Sequence, residues 1–225
     1  MSLSLMCGVV CVGSALGQGP NATQNGPMSI TAKATIDKIT VKGRARTLTI
    51  TTTEGNEFTI PLSNRVKFEV RAPGDEGFVR AGQMLMAQGV LTNDRLFTKN
   101  VEIVLLPKGK KPQPGRMEKS TREVGASVNT YDVSGPIVAA EQDPNYEKYL
   151  AVAVRTLGQG AVLMLESGFK VTVVSDDIEL IKEGMEAEVE ALPGPGGRPV
   201  FLRVTVDLPD AMKSADLLGP AEPAK

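Results

Sequence analysis

Few side chains in this 225-residue chain are grouped so that they could do chemistry together. The densest acidic group is Asp176-Asp177-Ile178-Glu179. Calcium asks for roughly six to eight oxygens from a loop that wraps around it. These three carboxylates lack a Gly-spaced D-x-D pattern and read as an exposed turn leading into Leu180-Ile181. Glu186, Glu188 and Glu190 alternate with Met185, Ala187, Val189 and Ala191, the pattern of a strand with one charged and one buried face. Such an acidic stripe invites a basic partner, the linker of the same chain among them. A carboxylate pair can hydrolyse glycosides only in a cleft with sugar-binding platforms and one raised pKa, and no segment supplies that cleft. Tyr146 and Tyr149 flank a loop just after Tyr131 and are expected to staple that loop to the body.

Two basic groups are the candidate ligand contacts. Lys42, Arg44 and Arg46 alternate beside a Gly turn, so an extended backbone puts all three on one side. Lys108, Lys110, Lys111 and Arg116 lie in the Pro/Gly-rich run from Pro107 to Arg116, which is expected to be extended and exposed. Together they would suit an acidic polysaccharide or a nucleic acid, although no aromatic is interleaved for base stacking. As structure alone, the first group is a solvated strand face and the second a solvated linker. That linker can also lie against the acidic second half.

The absences exclude more than the groups suggest. There is no His and no Trp, and the two cysteines, Cys7 and Cys11, both stand in the first dozen residues. Without His there is no Ser-His-Asp triad, no Cys-His pair and no imidazole metal ligand. Once the N-terminus is removed there is no thiol either, so thiolate catalysis and disulfides go too. The expectation is a protein that is not an enzyme and that carries no cofactor and no metal. A formal net charge of −1 gives no overall argument for nucleic-acid binding.

Residues 2–17 are uncharged and mostly apolar or small, and a polar Gly/Pro-containing stretch follows. This reads as a secretory signal peptide over residues 1–17, cut before Gln18, with a disordered segment at 18–29. No Lys or Arg precedes the apolar run, which departs from the usual signal pattern. The run is shorter than the roughly 20 residues that span a bilayer, so no integral membrane span is expected after cleavage. The protein would then be exported, to a periplasm, a cell envelope or the medium.

From Met28 onward the period is two. Thr47–Thr53 and Glu57–Leu62 are strand-like runs around the turn Glu54-Gly55-Asn56, a hairpin signature. Val66–Val70, Leu85–Val90 and Leu96–Leu105 continue the set. The segment Val79–Ala87 then lines up with Ile181–Val189, with Gly82 matched to Gly184, 102 residues on. The hairpin Leu48–Leu62 matches Leu150–Val173, and Phe97–Leu105 matches Phe201–Leu208 with a one-residue slip. Features recurring in one order argue for an internal duplication. Both glycines are expected at sharp turns into a strand, with positive φ.

Strand, Gly-turn hairpin, strand, a short element ending in Gly, strand, variable loop and final strand is an order that resembles exported bacterial domains of unknown function with an OB-like barrel. The resemblance implies fold and export, and no reaction. The expected fold class is all-β, with two tandem small OB-like β-barrels. The first barrel would span 30–105, a basic linker 106–129, the second barrel 130–208 and a disordered tail 209–225, with one helical turn near Ala211–Leu218. Charge follows this division: net +3 over residues 28–105, +4 over 106–130 and −7 over 131–208. The expected function is a non-catalytic interaction or scaffold module of the cell envelope with a protein partner. The alternative is a binding module for an anionic polymer.

Overall fold

The computed structural model describes residues 29–107, 109–120, 129–158 and 160–219. The expected signal peptide, nearly all of the 18–29 segment and Lys108 lie outside them. The regular structure of the described chain is almost entirely strand: β1 Ile30–Lys42, β2 Ala45–Thr52, β3 Glu57–Pro61, β4 Lys67–Gly74, β5 Met84–Thr92, β6 Arg95–Leu105, β7 Met117–Lys119, β8 Thr130–Gln142, β9 Tyr149–Val154, β10 Ala161–Ser175, β11 Glu186–Pro193 and β12 Pro199–Asp207. One short helix, α1 Ser214–Leu218, follows. The period-two runs become strands because alternation buries one face: in β11, Ala187 and Val189 are buried while Glu186 and Glu188 are exposed.

Two hydrophobic cores result, and neither follows chain order. One packs Leu85, Leu96 and Ile103 of β5–β6 against Ile137, Val152, Leu163 and Val173 of β8–β10. The other packs Ile36, Leu48, Ile60 and Val70 of β1–β4 against Ala187, Val189, Val204 and Val206 of β11–β12. The division into self-contained barrels at 30–105 and 130–208 is therefore corrected: each core takes its first strands from one segment and its last two from the other. Alternation tells a strand which face to bury and not which strand to bury it against.

Around the first core β8, β9, β10, β6 and β5 close into a five-strand barrel. Its pairs are β8·β9, β9·β10, the parallel β10·β6, then β6·β5 and β5·β8. It is the one closed barrel among the described residues. The other core has the corresponding pairs β1·β2, β2·β3, parallel β4·β12, β12·β11 and β11·β1. It stays open because β3 and β4 are separate strands, interrupted at residues 62–66, whereas β10 runs unbroken for 15 residues.

The two halves meet in the antiparallel pair β4·β10, where Arg71 faces Val174. The crossings between halves repeat the same backbone bonds. The Gly82 N–H donates to the Ile137 carbonyl (2.9 Å) and the Ile137 N–H to that of Gln83 (2.8 Å). The Gly184 N–H donates to the Ile36 carbonyl (2.7 Å) and the Ile36 N–H to that of Met185 (2.9 Å). Gly82 and Gly184 have φ of 87° and 88°, the left-handed turn expected of them.

The helical turn expected near Ala211–Leu218 appears as α1, and the described parts of the linker and tail are tied to the body more than expected. Within 106–129, the Gly115 N–H donates to the Arg155 carbonyl (3.2 Å), and β7 pairs with Tyr131–Val133 of β8. In the tail, the Asp75 carboxylate accepts from the Ser214 N–H (2.9 Å), and Arg80 donates to the Gly219 carbonyl (3.0 Å). Both lie down because their backbones find partners on the body, which composition does not reveal. Residues 121–128 and 220–225 lie outside the described chain.

Candidate functional site: a groove across the two cores

The long seam beside β4·β10 is a groove made of two adjoining cavities of about 660 and 650 Å³. Arg46, Val104–Pro107, Lys110, Ser175 and Asp176 line both. Arg44 and Lys67 add cations on one side, Lys67 paired there with Glu69 at 2.6 Å; Asp177, Glu179 and the helix residues Leu217 and Leu218 stand on the other. Three of the sequence candidates, Arg44, Arg46 and Lys110, thus come together, although 64 residues separate Arg46 from Lys110. Arg46 sits on β2 and its Nη1 donates to the Asp176 carbonyl at 3.4 Å. Lys67, at the start of β4, joins them; its lone position in an alternating strand gave no signal.

The other candidates stand elsewhere. Lys42, at the end of β1, is exposed and outside the groove lining. Lys111 is exposed, and its carbonyl accepts from the Gln113 side chain at 3.4 Å. Arg116 pairs with Glu118 at 3.3 Å and lines a separate cavity of about 490 Å³ with Glu102, Asp132 and Lys170. Lys108 lies outside the described residues.

The acidic side is structural in its details. Asp177 caps a single turn of 3-10 helix, accepting from the Glu179 N–H at 3.0 Å, while Ile178 is buried beneath it. Among the described residues no three His, Cys, Asp or Glu side chains gather to hold a metal ion. The Glu186–Glu190 stripe faces its neighbouring strands: Glu188 is opposite Lys33 of β1 and Glu190 opposite Arg203 of β12. The linker lies instead along the groove with Asp176 and Asp177. Among the described residues no helix is long and apolar enough to cross a membrane.

A half-buried ion pair went unread in the sequence. Asp143, only 4% exposed, receives Arg95 Nη1 at 2.7 Å and the N–H groups of Asn145 (2.8 Å) and Tyr146 (3.1 Å). Those N–H groups, Asn145 foremost, and the Arg95 charge hold its carboxyl below the usual aspartate range. The pair fixes the Asp143–Lys148 loop, and Tyr149 packs edge-on against Phe97 with centroids 5.5 Å apart, the staple expected of the tyrosines. Because the folded pKa lies below the unfolded one, the stabilisation is complete above the unfolded value of about 3.9. It is lost as pH falls through the lower folded value. Asp143→Asn is expected to lower Tm at pH 7, and the gap to the native chain should shrink below about pH 4. Melting curves across pH 2–7 check this; a constant gap would refute it.

No protein-family model, no curated protein and no solved structure matches the chain. The class stands on the fold: an all-β protein with one five-strand mixed barrel and outer strands.

Proposed function

We propose that this chain is a non-catalytic interaction or scaffold module of a cell envelope, built as two OB-type units that arose by duplication and exchanged halves. The observation that carries the reading is the reciprocal pairing. The same glycine-to-isoleucine crossing bonds occur twice, each reaching into the other segment. The strand order of the closed barrel, with its one parallel pair, resembles that of an OB barrel whose last two strands come from the other segment, and this supports the reading. Units of this size are marginal alone. Exchange couples them through β4·β10 and gives a platform on which loops and grooves keep fixed spacing. Export rests on the N-terminal sequence pattern.

A second reading has its own support, the convergence of Arg44, Arg46, Lys67 and Lys110 on the groove, which suits an anionic polymer. Salt separates the two. A site making four phosphate-like contacts loses about 50- to 150-fold in affinity between 50 and 200 mM salt, while an apolar protein interface is nearly indifferent. The mature chain, Gln18 to Lys225, is used to pull down from its own envelope extract with washes at both salts. A protein retained at high salt supports the scaffold reading. Polysaccharide or nucleic acid lost at high salt supports the second, and Arg46→Gln with Lys110→Gln should then weaken capture and halve the salt slope of binding. Capture of neither sets both readings aside.

A further inference from the structure

The start of β1 and the start of β8 occupy equivalent places. Ile36 and Ile137 make the same crossing bonds, so Ile30–Ala32 corresponds to Tyr131–Val133. Both stretches pair on one side, with β11 and with β5. On the other side they differ. Tyr131–Val133 is covered by β7, in register Met117↔Val133 and Lys119↔Tyr131. Upstream of β7, Gly115 bonds to the chain just after β9, its N–H donating to the Arg155 carbonyl and its carbonyl accepting from the Leu157 N–H (2.8 Å). Met117 packs on the core beneath. Along Ile30–Ala32, among the described residues, no strand pairs on that side. An apolar cleft of about 310 Å³ lies there instead, lined by Ile30, Ala32, Phe58, Leu192 and Phe201, with Glu54 at its rim. Ile30 is 61% exposed whereas its counterpart Tyr131 is half-buried, and Ala32 is half-buried whereas its counterpart Val133 is buried.

We propose that this edge and cleft take an extended peptide from a partner protein, which adds a strand to Ile30–Ala32 and sets an apolar side chain against Phe58 and Phe201, whose rings pack edge to face with centroids 5.6 Å apart. The inference rests on the paired-unit reading above and names its docking surface. The occupant is a peptide because the same place in the other half holds one: a three-residue strand contributing backbone hydrogen bonds and one apolar side chain. This is strand addition, in which the edge supplies affinity and the pocket specificity. The partner's side chain is apolar and its flanks neutral or basic, since Glu54 is the one charged residue in the lining. The chain's own leader is the wrong occupant. Met117 stands 16 residues before Val133, so the matching position before Ala32 is residue 16, which precedes the expected cut at Gln18. The retained stretch Gln18–Met28 carries two prolines and is mostly polar.

Hydrogen exchange on the mature chain and on a tethered form tests this. In the tethered form the chain's own Gln113–Asn129 replaces everything ahead of Ser29, which restores the β7-to-β8 spacing and makes docking intramolecular. The Ile30–Lys33 amides facing away from β11 should exchange freely in the mature chain and at least tenfold more slowly in the tethered form. Phe201→Ser, which spoils the cleft and leaves the β1 edge, should remove most of that gain. Equal exchange in the two forms overturns the proposal. Protection already present in the mature chain overturns it in favour of the chain's own N-terminal segment. Neither result bears on the envelope pulldown, so the site can fail while the scaffold reading stands.

Discussion

Phe78→Ala should destabilise the whole protein by about 3–5 kcal/mol, roughly 10 °C in Tm for a chain this long. Phe78 is fully buried and sits in the single 3-10 turn between β4 and β5, on the connection that carries the chain from one core to the other. Its ring fills the space beside Gly74, where a Cβ would come within 3.1 Å of Phe78 Cδ2. Truncation leaves a cavity that the crossing backbone, held by the Gly82–Ile137 bond, is poorly placed to fill. The loss falls in the barrel core, but β4 belongs to the other core and pairs with β10. Denaturant unfolding should therefore remain a single transition with a lowered midpoint. Amides of β1 and β11, in the core that Phe78 does not touch, should exchange faster as well. Two separated transitions would mean that the cores are independent.

Gly115→Val should cost on the order of 3 kcal/mol and detach β7. A Cβ at Gly115 would lie 1.9 Å from the Ser134 carbonyl oxygen and 2.6 Å from the Gly135 nitrogen, and backbone cannot swing aside as a side chain can. Relief requires moving the strand. That gives up the Gly115–Arg155, Leu157–Gly115 and Ser134–Arg116 bonds and uncovers Met117. The barrel would remain closed, since β7 is not one of its five strands. Exchange should accelerate at Met117–Lys119 and at Ser134 while Val152 and Leu163 stay protected. Gly160→Ala is the control: its nearest neighbour is 3.8 Å away, and stability should change by less than about 0.5 kcal/mol. If Gly115→Val behaves like the control, the strap is not held as described.

The two variants mark where sequence reasoning reaches. The turn at Glu54-Gly55-Asn56 and the runs on either side of it appear as β2 and β3, because hairpin pairing is local and alternation shows the buried face. The left-handed turns at Gly82 and Gly184 were legible for the same local reason, one residue type meeting one backbone conformation. Three of the four cations of the basic site were legible too. Arg44 and Arg46 were grouped by their spacing, and Lys110 by its linker. Lys67 joins them only because β4 pairs in parallel with β12 and ends up beside the β1–β2 turn. The Arg95–Asp143 pair spans 48 residues with no motif at either end.

By itself the sequence determined that this chain is all-β and that its two segments carry matching glycines at matching distances from their strands. These follow from side-chain alternation and from the φ values open to glycine, and both act over a few residues. The tertiary structure alone decided which strands share a core. In each segment the last two strands satisfy the same hydrogen bonds on the other segment's first strands as they would on their own, so the local pattern is identical for either partner. The choice is made by the chain's crossings at Phe78 and Ile178 and by the β4·β10 pairing that joins the halves. That choice placed the groove between the two cores and left the Ile30 edge and its cleft open.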